Sequence, residues 1–214
     1  MPNLHLARFA ATAVFSVASA NALAAALPVR VLDAAGKPVP DAVVSLEAEA
    51  GQALPRAIKP GEISQKGLKF IPLVSVIQAG SKVSFPNNDK VRHHIYSFSA
   101  PHKFDQKLYS GTTAEPQVFE KPGTVVLGCN IHDKMVAYVR IVDTPYFGKT
   151  DAEGNAVLDA PAGKYVLKAW HPYIAGGQAL EQAQRVGDGA AATASFRMTL
   201  KPPASDVDSQ ATAY

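Results

Sequence analysis

The sequence predicts an all-β protein, a sandwich or barrel of short strands. Three observations carry that class. Every convincing apolar segment is short and has the period of a strand, with β-branched or aromatic residues in alternation. Turn-forming stretches such as DAAGKPVPDA, QAGSK, PNND, DAEGN and APAGK separate these runs at intervals of about 8 to 12 residues, the rhythm of a sandwich or barrel. Only one stretch, AGGQALEQAQRV at residues 175–186, offers a helical pattern, and it is short and weakly amphipathic.

The elements follow in order. Residues 1–24, MPNLHLARFAATAVFSVASANALA, open with Arg8, continue through an apolar run and end in small residues with two A-x-A signals, the pattern of a secretory leader. The apolar run is too short to span a bilayer, and no later stretch approaches the roughly 20 apolar residues needed, so no transmembrane span is expected. Export into the periplasm is the expected localisation. Val29 and Val31 begin the strands, followed by Val43, Val44 and Leu46, then by Val74, Val76, Val83 and Phe85. Residues 95–98, 124–127, 136–142, 156–158 and 165–170 complete the set. The last residues, 202–214, are polar and proline-containing, and are expected to form a flexible tail.

Composition narrows the function. A formal charge of +3 and the absence of a basic cluster interleaved with aromatics exclude a nucleic-acid partner. No G-x-S-x-G elbow is present for serine hydrolysis, and the single thiol, Cys129, lies in a loop of other character. One cysteine in an exported chain cannot form an internal disulfide, so it must be buried, paired between chains or bound to something.

Its context is GCNIHDKM, residues 128–135. Cys129, His132 and Met135 follow C-x2-H-x2-M on a loop between two strands, and Asn87 and His93 stand upstream as N-x5-H. One thiolate, two imidazoles and a weak thioether are the donor set that suits copper cycling between two oxidation states, whereas zinc wants four strong ligands and does not recruit methionine. Met135 is the discriminating residue. Each of these residues alone has a plainer reading as a core filler, a buried thiol or a satisfied loop histidine. Their spacing together is what points to metal.

The segment from about Leu68 to Val142 resembles a cupredoxin of the plastocyanin, amicyanin and pseudoazurin kind, with the short amicyanin-like ligand loop. The resemblance implies His93, Cys129, His132 and Met135 as copper ligands. His94 stands where this family usually has asparagine. Its side chain is expected either to brace Asn130 or, after a slip of one residue, to replace His93 as ligand. His102 is expected in a solvated loop and His171 beside Trp170, neither touching metal.

A second resemblance concerns organisation. LPVRVLDAAGKPVPDAVVSLEA, residues 27–48, and TDAEGNAVLDAPAGKYVLKAWHP, residues 150–172, resemble the two motifs of a carboxypeptidase regulatory-like sandwich, a transthyretin-like fold. About a hundred residues separate motifs that are normally close. The expected division is therefore a leader (1–24), the first part of the regulatory-like sandwich (25–58), an inserted cupredoxin-like copper domain (59–143), the remainder of the sandwich (144–201) and the tail. One continuous sandwich, or two domains in series, is the alternative. The whole chain looks like exported cupredoxin-like proteins of the methylamine-utilisation-protein type.

These resemblances imply a non-enzymatic one-electron carrier without a small-molecule substrate. The five histidines outside the leader are too few for an additional catalytic copper. Lys90, Arg92, Asp133 and Lys134 flank the ligands with a slightly positive rim, which could steer an acidic redox partner protein such as a cytochrome or a quinoprotein dehydrogenase. The alternative function is copper holding or delivery through the same ligands.

Overall fold

A computed structural model describes residues 24–49, 53–111, 115–187 and 193–201. The expected leader falls outside these residues except for Ala24, and the expected tail lies wholly outside them. The described residues are all-β, as expected. No helix among them is long and apolar enough to cross a membrane.

Strands β1 (Ala24–Asp33) and β2 (Val43–Ala48) come first. Three two-residue pieces, β3 (Gly61–Glu62), β4 (Ser64–Gln65) and β5 (Phe70–Ile71), lead into β6 (Val74–Gln78) and β7 (Ser81–Ser84). The middle of the chain forms β8 (His93–Ser97), β9 (Phe104–Tyr109), β10 (Gln117–Phe119), β11 (Gly123–Cys129) and β12 (Val136–Val142). The last five are β13 (Phe147–Lys149), β14 (Asn155–Pro161), β15 (Gly163–Trp170), β16 (Leu180–Val186) and β17 (Ala194–Met198).

Two sandwiches result. One sheet of order β14-β1-β17 faces another of order β13-β2-β15-β16, and their inward residues, among them Leu27, Val29, Val31, Leu46, Leu158 and Leu167, form one buried core. A five-stranded sheet of order β6-β12-β11-β8-β9 faces a small one of order β10-β7-β3 around a second core, which includes Phe85, Ile95, Phe119, Leu127 and Val139. The first sandwich uses strands from both ends of the described chain. The second uses only strands between residues 61 and 142.

The one stretch with a helical pattern, 175–186, contains instead the edge strand β16. Residues of good helical propensity are overridden there by seven ladder partners along β15, from Gly163↔Val186 to Ala169↔Leu180. Its partly buried residues alternate with exposed ones until Val186 enters the core. Exposed Glu181 also meets Lys168 of β15 at 2.9 Å, a cross-strand pair of the kind that favours this arrangement.

The sandwiches touch through β6 and β12. Val74 of β6 is buried in the core of the first sandwich, and the Lys149 ammonium donates to the Val74 carbonyl at 2.8 Å. From β12, the Arg140 guanidinium lies 5.3 Å over the ring of Trp170 and donates to Thr124 Oγ1 at 3.0 Å. Burial lowers the Arg140 pKa, while Glu47 and Glu181 counteract that shift. Cation–π attraction strengthens at such desolvated positions.

Candidate metal centre

Period-two alternation brings the donors together. On β11, Val125, Leu127 and Cys129 point inward, while Val126 is exposed on the outer face. On β8, His93, Ile95 and Ser97 share the inward face and are fully buried. Cys129 is paired with Ile95, so His93 is its diagonal neighbour across the antiparallel ladder, within reach of a long side chain.

The loop after Cys129 supplies the rest. The Asn130 N–H continues the ladder by donating to the His94 carbonyl at 3.1 Å. A turn then closes where the Met135 N–H donates to the His132 carbonyl at 2.9 Å, and β12 begins at the next residue. The turn carries His132 back over the end of the sandwich.

Cys129 Sγ lies 3.7 Å from His93 Nδ1 and 3.8 Å from His132 Nδ1. One donor atom from each of the three residues lies within 4.8 Å of the others, and the two imidazole rings meet edge to face at 5.1 Å. Bonds of about 2.3 Å to thiolate and about 2.0 Å to imidazole, opened to a trigonal angle, require sulfur and nitrogen to be about 3.7 Å apart. The donor set and its spacing therefore fit a metal ion. Met135 is 1% exposed and belongs to the same core as Cys129. Cys129 and His93 are likewise buried, and His132 is half-buried.

His94 performs neither of the roles expected of its side chain. Its ring turns to the opposite face of β8 and pairs with Asp105 of β9. The brace on Asn130 exists, but the backbone carbonyl of His94 provides it, so the side chain at this position is free to differ from asparagine. His102 also departs from expectation. It is half-buried, with its ring 4.5 Å from that of Phe119 and 5.2 Å from that of Phe104. His171 is buried beside Trp170 as expected and accepts a hydrogen bond from the Tyr173 N–H.

Three residues around the site were not singled out by their motifs. Asp89 accepts from His93 Nε2–H at 2.9 Å. Partial burial would raise the Asp89 carboxyl, but the Leu68 N–H, the His93 ring and the Gly67 N–H outweigh it and hold its pKa below the ordinary value. Tyr109 donates to the Phe85 carbonyl and receives a hydrogen bond from Gln65 Nε2. Burial pushes the Tyr109 phenol up to about 12, with Gln65 pulling the other way and Cys129 adding to the rise, so it stays neutral. The available signal was the N-x-D of residues 87–89, which marks an Asx turn.

An all-β protein of two sandwiches, one of them with a His–Cys–His cluster at its end, is the class that this fold and site define. No family model matches the chain, and no curated protein matches it. Among solved structures, the chain is similar to a purple cupredoxin from Nitrosopumilus maritimus at 24% identity, over 38% of this chain and 99% of that one, with a TM-score of 0.35. Amicyanin from Paracoccus versutus matches at 17% identity, over 49% and 100%, with a TM-score of 0.36. A copper-containing nitrite reductase from Thermus scotoductus SA-01 matches at 27% identity and a TM-score of 0.37, over 52% of this chain and only 27% of the reductase.

Proposed function

We propose that the protein is an exported one-electron carrier, with His93, Cys129, His132 and Met135 holding copper. The observation that carries this reading is the contrast within the donor set: Cys129, His93 and Met135 are buried, while His132 is half-buried. A bound copper ion would supply a one-electron couple at this position. Strand register holds His93 and Cys129, and the turn from His132 to Met135 fixes the other two, so little rearrangement is required of the chain when charge changes. Burial keeps water from the thiolate sulfur. The half-exposed His132 imidazole offers an edge through which an electron can pass to a docked protein, without any acid, base or nucleophile.

Copper delivery through the same ligands would be favoured by extra methionines near the site, and outside the leader the sequence has only Met198 besides Met135. The proposed partner is an acidic redox protein, met by the exposed rim of Lys90, Arg92 and Lys134. The periplasmic location rests on the leader-like residues 1–24. The division into an inserted domain at 59–143 and a regulatory-like sandwich on either side of it rests on the two motifs quoted above and agrees with the strand usage of the two cores.

Visible absorption after addition of Cu(II), recorded for residues 25–214 and for the same chain with Cys129→Ala, tests the reading. An intense thiolate-to-copper band, bleached reversibly by ascorbate and absent from the variant, is the expected result. Binding without that band would replace electron transfer by copper holding, and no binding would remove the metal altogether.

A further inference from the structure

His93 is fully buried with both ring nitrogens engaged, Nδ1 toward Cys129 Sγ and Nε2 toward the Asp89 carboxylate. A neutral imidazole carries one N–H and one lone pair, and an ionised carboxylate can only accept. The proton therefore sits on Nε2, and the lone pair of Nδ1 faces the sulfur.

The Asp89 carboxylate is itself fixed by a separate part of the chain. Gly67 N–H donates to Oδ1 at 2.6 Å and Leu68 N–H to Oδ2 at 3.0 Å. These two residues form the tip of the β4–β5 hairpin, closed where the Lys66 N–H donates to the Lys69 carbonyl. Both are left-handed, with φ of 63° and 60°. Successive N–H groups in turns of this sort form a concavity for an anion. For Leu68 the conformation is unfavourable, because its Cβ crowds the following carbonyl oxygen, and its side chain is exposed, so apolar burial does not account for it. Retention of that backbone is explained by the carboxylate it grips.

The backbone of Asp89 is held as well. Its N–H donates to Asn87 Oδ1 at 2.9 Å, and Asn87, 4% exposed, donates through Nδ2 to the Val91 and Tyr109 carbonyls. The chain thus spends a buried asparagine and a strained hairpin tip on the placement of one carboxylate.

We propose that Asp89 is a positioning residue for the metal centre: it fixes the tautomer and orientation of His93, and the Gly67–Leu68 hairpin tip fixes Asp89. This rests on the copper reading of the preceding subsection but has a consequence that holds without metal. Partners that orient metal-ligating histidines typically contribute about 10- to 100-fold in affinity. A carboxylate behind His93 also favours the more highly charged Cu(II) state over Cu(I).

The experiment is nitrogen-15 NMR of the His93 imidazole in the metal-free chain at neutral pH, for the wild type, Asp89→Ala and Asp89→Glu. It is followed by copper titration against a competing chelator and by measurement of the midpoint potential. The wild type should show the Nε2–H tautomer. Asp89→Ala should lose that preference and bind Cu(II) about 10- to 100-fold more weakly. Its relative preference for Cu(I) should rise about tenfold, which is about 59 mV for a one-electron couple, and Asp89→Glu should recover part of each change. Leu68→Gly, which keeps the N–H and relieves the strain, should leave the tautomer unchanged.

A wild-type Nδ1–H tautomer overturns the proposal even if Asp89→Ala does not fold, and so does an Asp89→Ala chain with tautomer and affinity intact. If the tautomer responds to Asp89 but the wild type takes up no copper, positioning stands and the copper reading fails. If the thiolate band forms and the tautomer ignores Asp89, the copper reading survives and positioning is lost.

Discussion

The His94 carbonyl accepts the Asn130 N–H at 3.1 Å while the His94 ring points away, to Asp105. Main chain and side chain of one residue thus serve different neighbours: the carbonyl extends the ladder toward the loop after β11, and the ring meets Asp105 of β9. His94→Ala should leave the copper-dependent band in place, since the brace on the ligand loop is backbone. Stability should fall by no more than about 1 kcal/mol, the range of exposed ion pairs. His93→Ala should abolish the band. Parallel copper titrations check both, and loss of the band in His94→Ala would return that ring to the ligand set.

Met135 is buried in an apolar core, so a hydrophobic replacement of similar volume should be tolerated. Met135→Leu should cost less than about 1.5 kcal/mol in urea unfolding. If the thioether is an axial donor, the thiolate band should persist while the midpoint potential moves, because axial ligation tunes such sites. An unmoved potential in spectroelectrochemistry would reduce Met135 to a packing role.

Gly154 closes the turn after Thr150 in the first sandwich, with φ of 76°. A Cβ there would lie 2.5 Å from the Val31 carbonyl oxygen and 3.2 Å from Val39 N. These are backbone atoms of a core strand and its neighbouring turn, and they cannot swing aside. Gly154→Ala should destabilise by about 2–4 kcal/mol, combining the left-handed penalty with steric strain. Thermal unfolding measures it, and a loss under 1 kcal/mol would show that the turn can relax.

His171 is buried, and burial lowers its pKa from 6.5 to about 4, with Asp41 opposing the shift. The unfolded chain therefore takes up this proton at higher pH than the folded one. The associated stability is fully present above pH 6.5 and is lost as the pH falls toward 4, by up to about 3 kcal/mol. Urea midpoints measured between pH 7 and 4 should decline less steeply in His171→Gln than in the wild type. Equal slopes would show that His171 does not set this dependence.

The meeting of His93, Cys129 and His132 could be read from sequence because its parts are local: a three-residue spacing after Cys129, and a histidine that strand alternation turns inward with Ile95. What surrounds it was less accessible. Asp89 looks like any polar turn residue until a hairpin some twenty positions earlier is folded against it, and nothing local announces that Leu68 will adopt positive φ. His102 reads as solvated in SAPHKF because the rings that enclose it, Phe104 and Phe119, come from two different strands. The helical pattern over β16 misleads for the complementary reason, since its propensity is local and the ladder that overrides it is not. Residues 104–109 escaped notice as a strand because only half their faces are apolar and the ladder beside His93 carries a bulge.

The order in which the strands leave the ribosome has its own consequence. Val29 of β1 is matched to Ala194 of β17, near the last described residue, whereas β11 and β12 are joined as a simple hairpin. Pairings so distant along the chain form slowly, because a long loop must close before any contact rewards it. The inner sandwich, whose strands all lie between residues 61 and 142, can therefore consolidate while β1 still lacks its C-terminal neighbour. A chain interrupted before Ala194 would leave that edge of β1 unpaired although every proposed metal donor had already been synthesised.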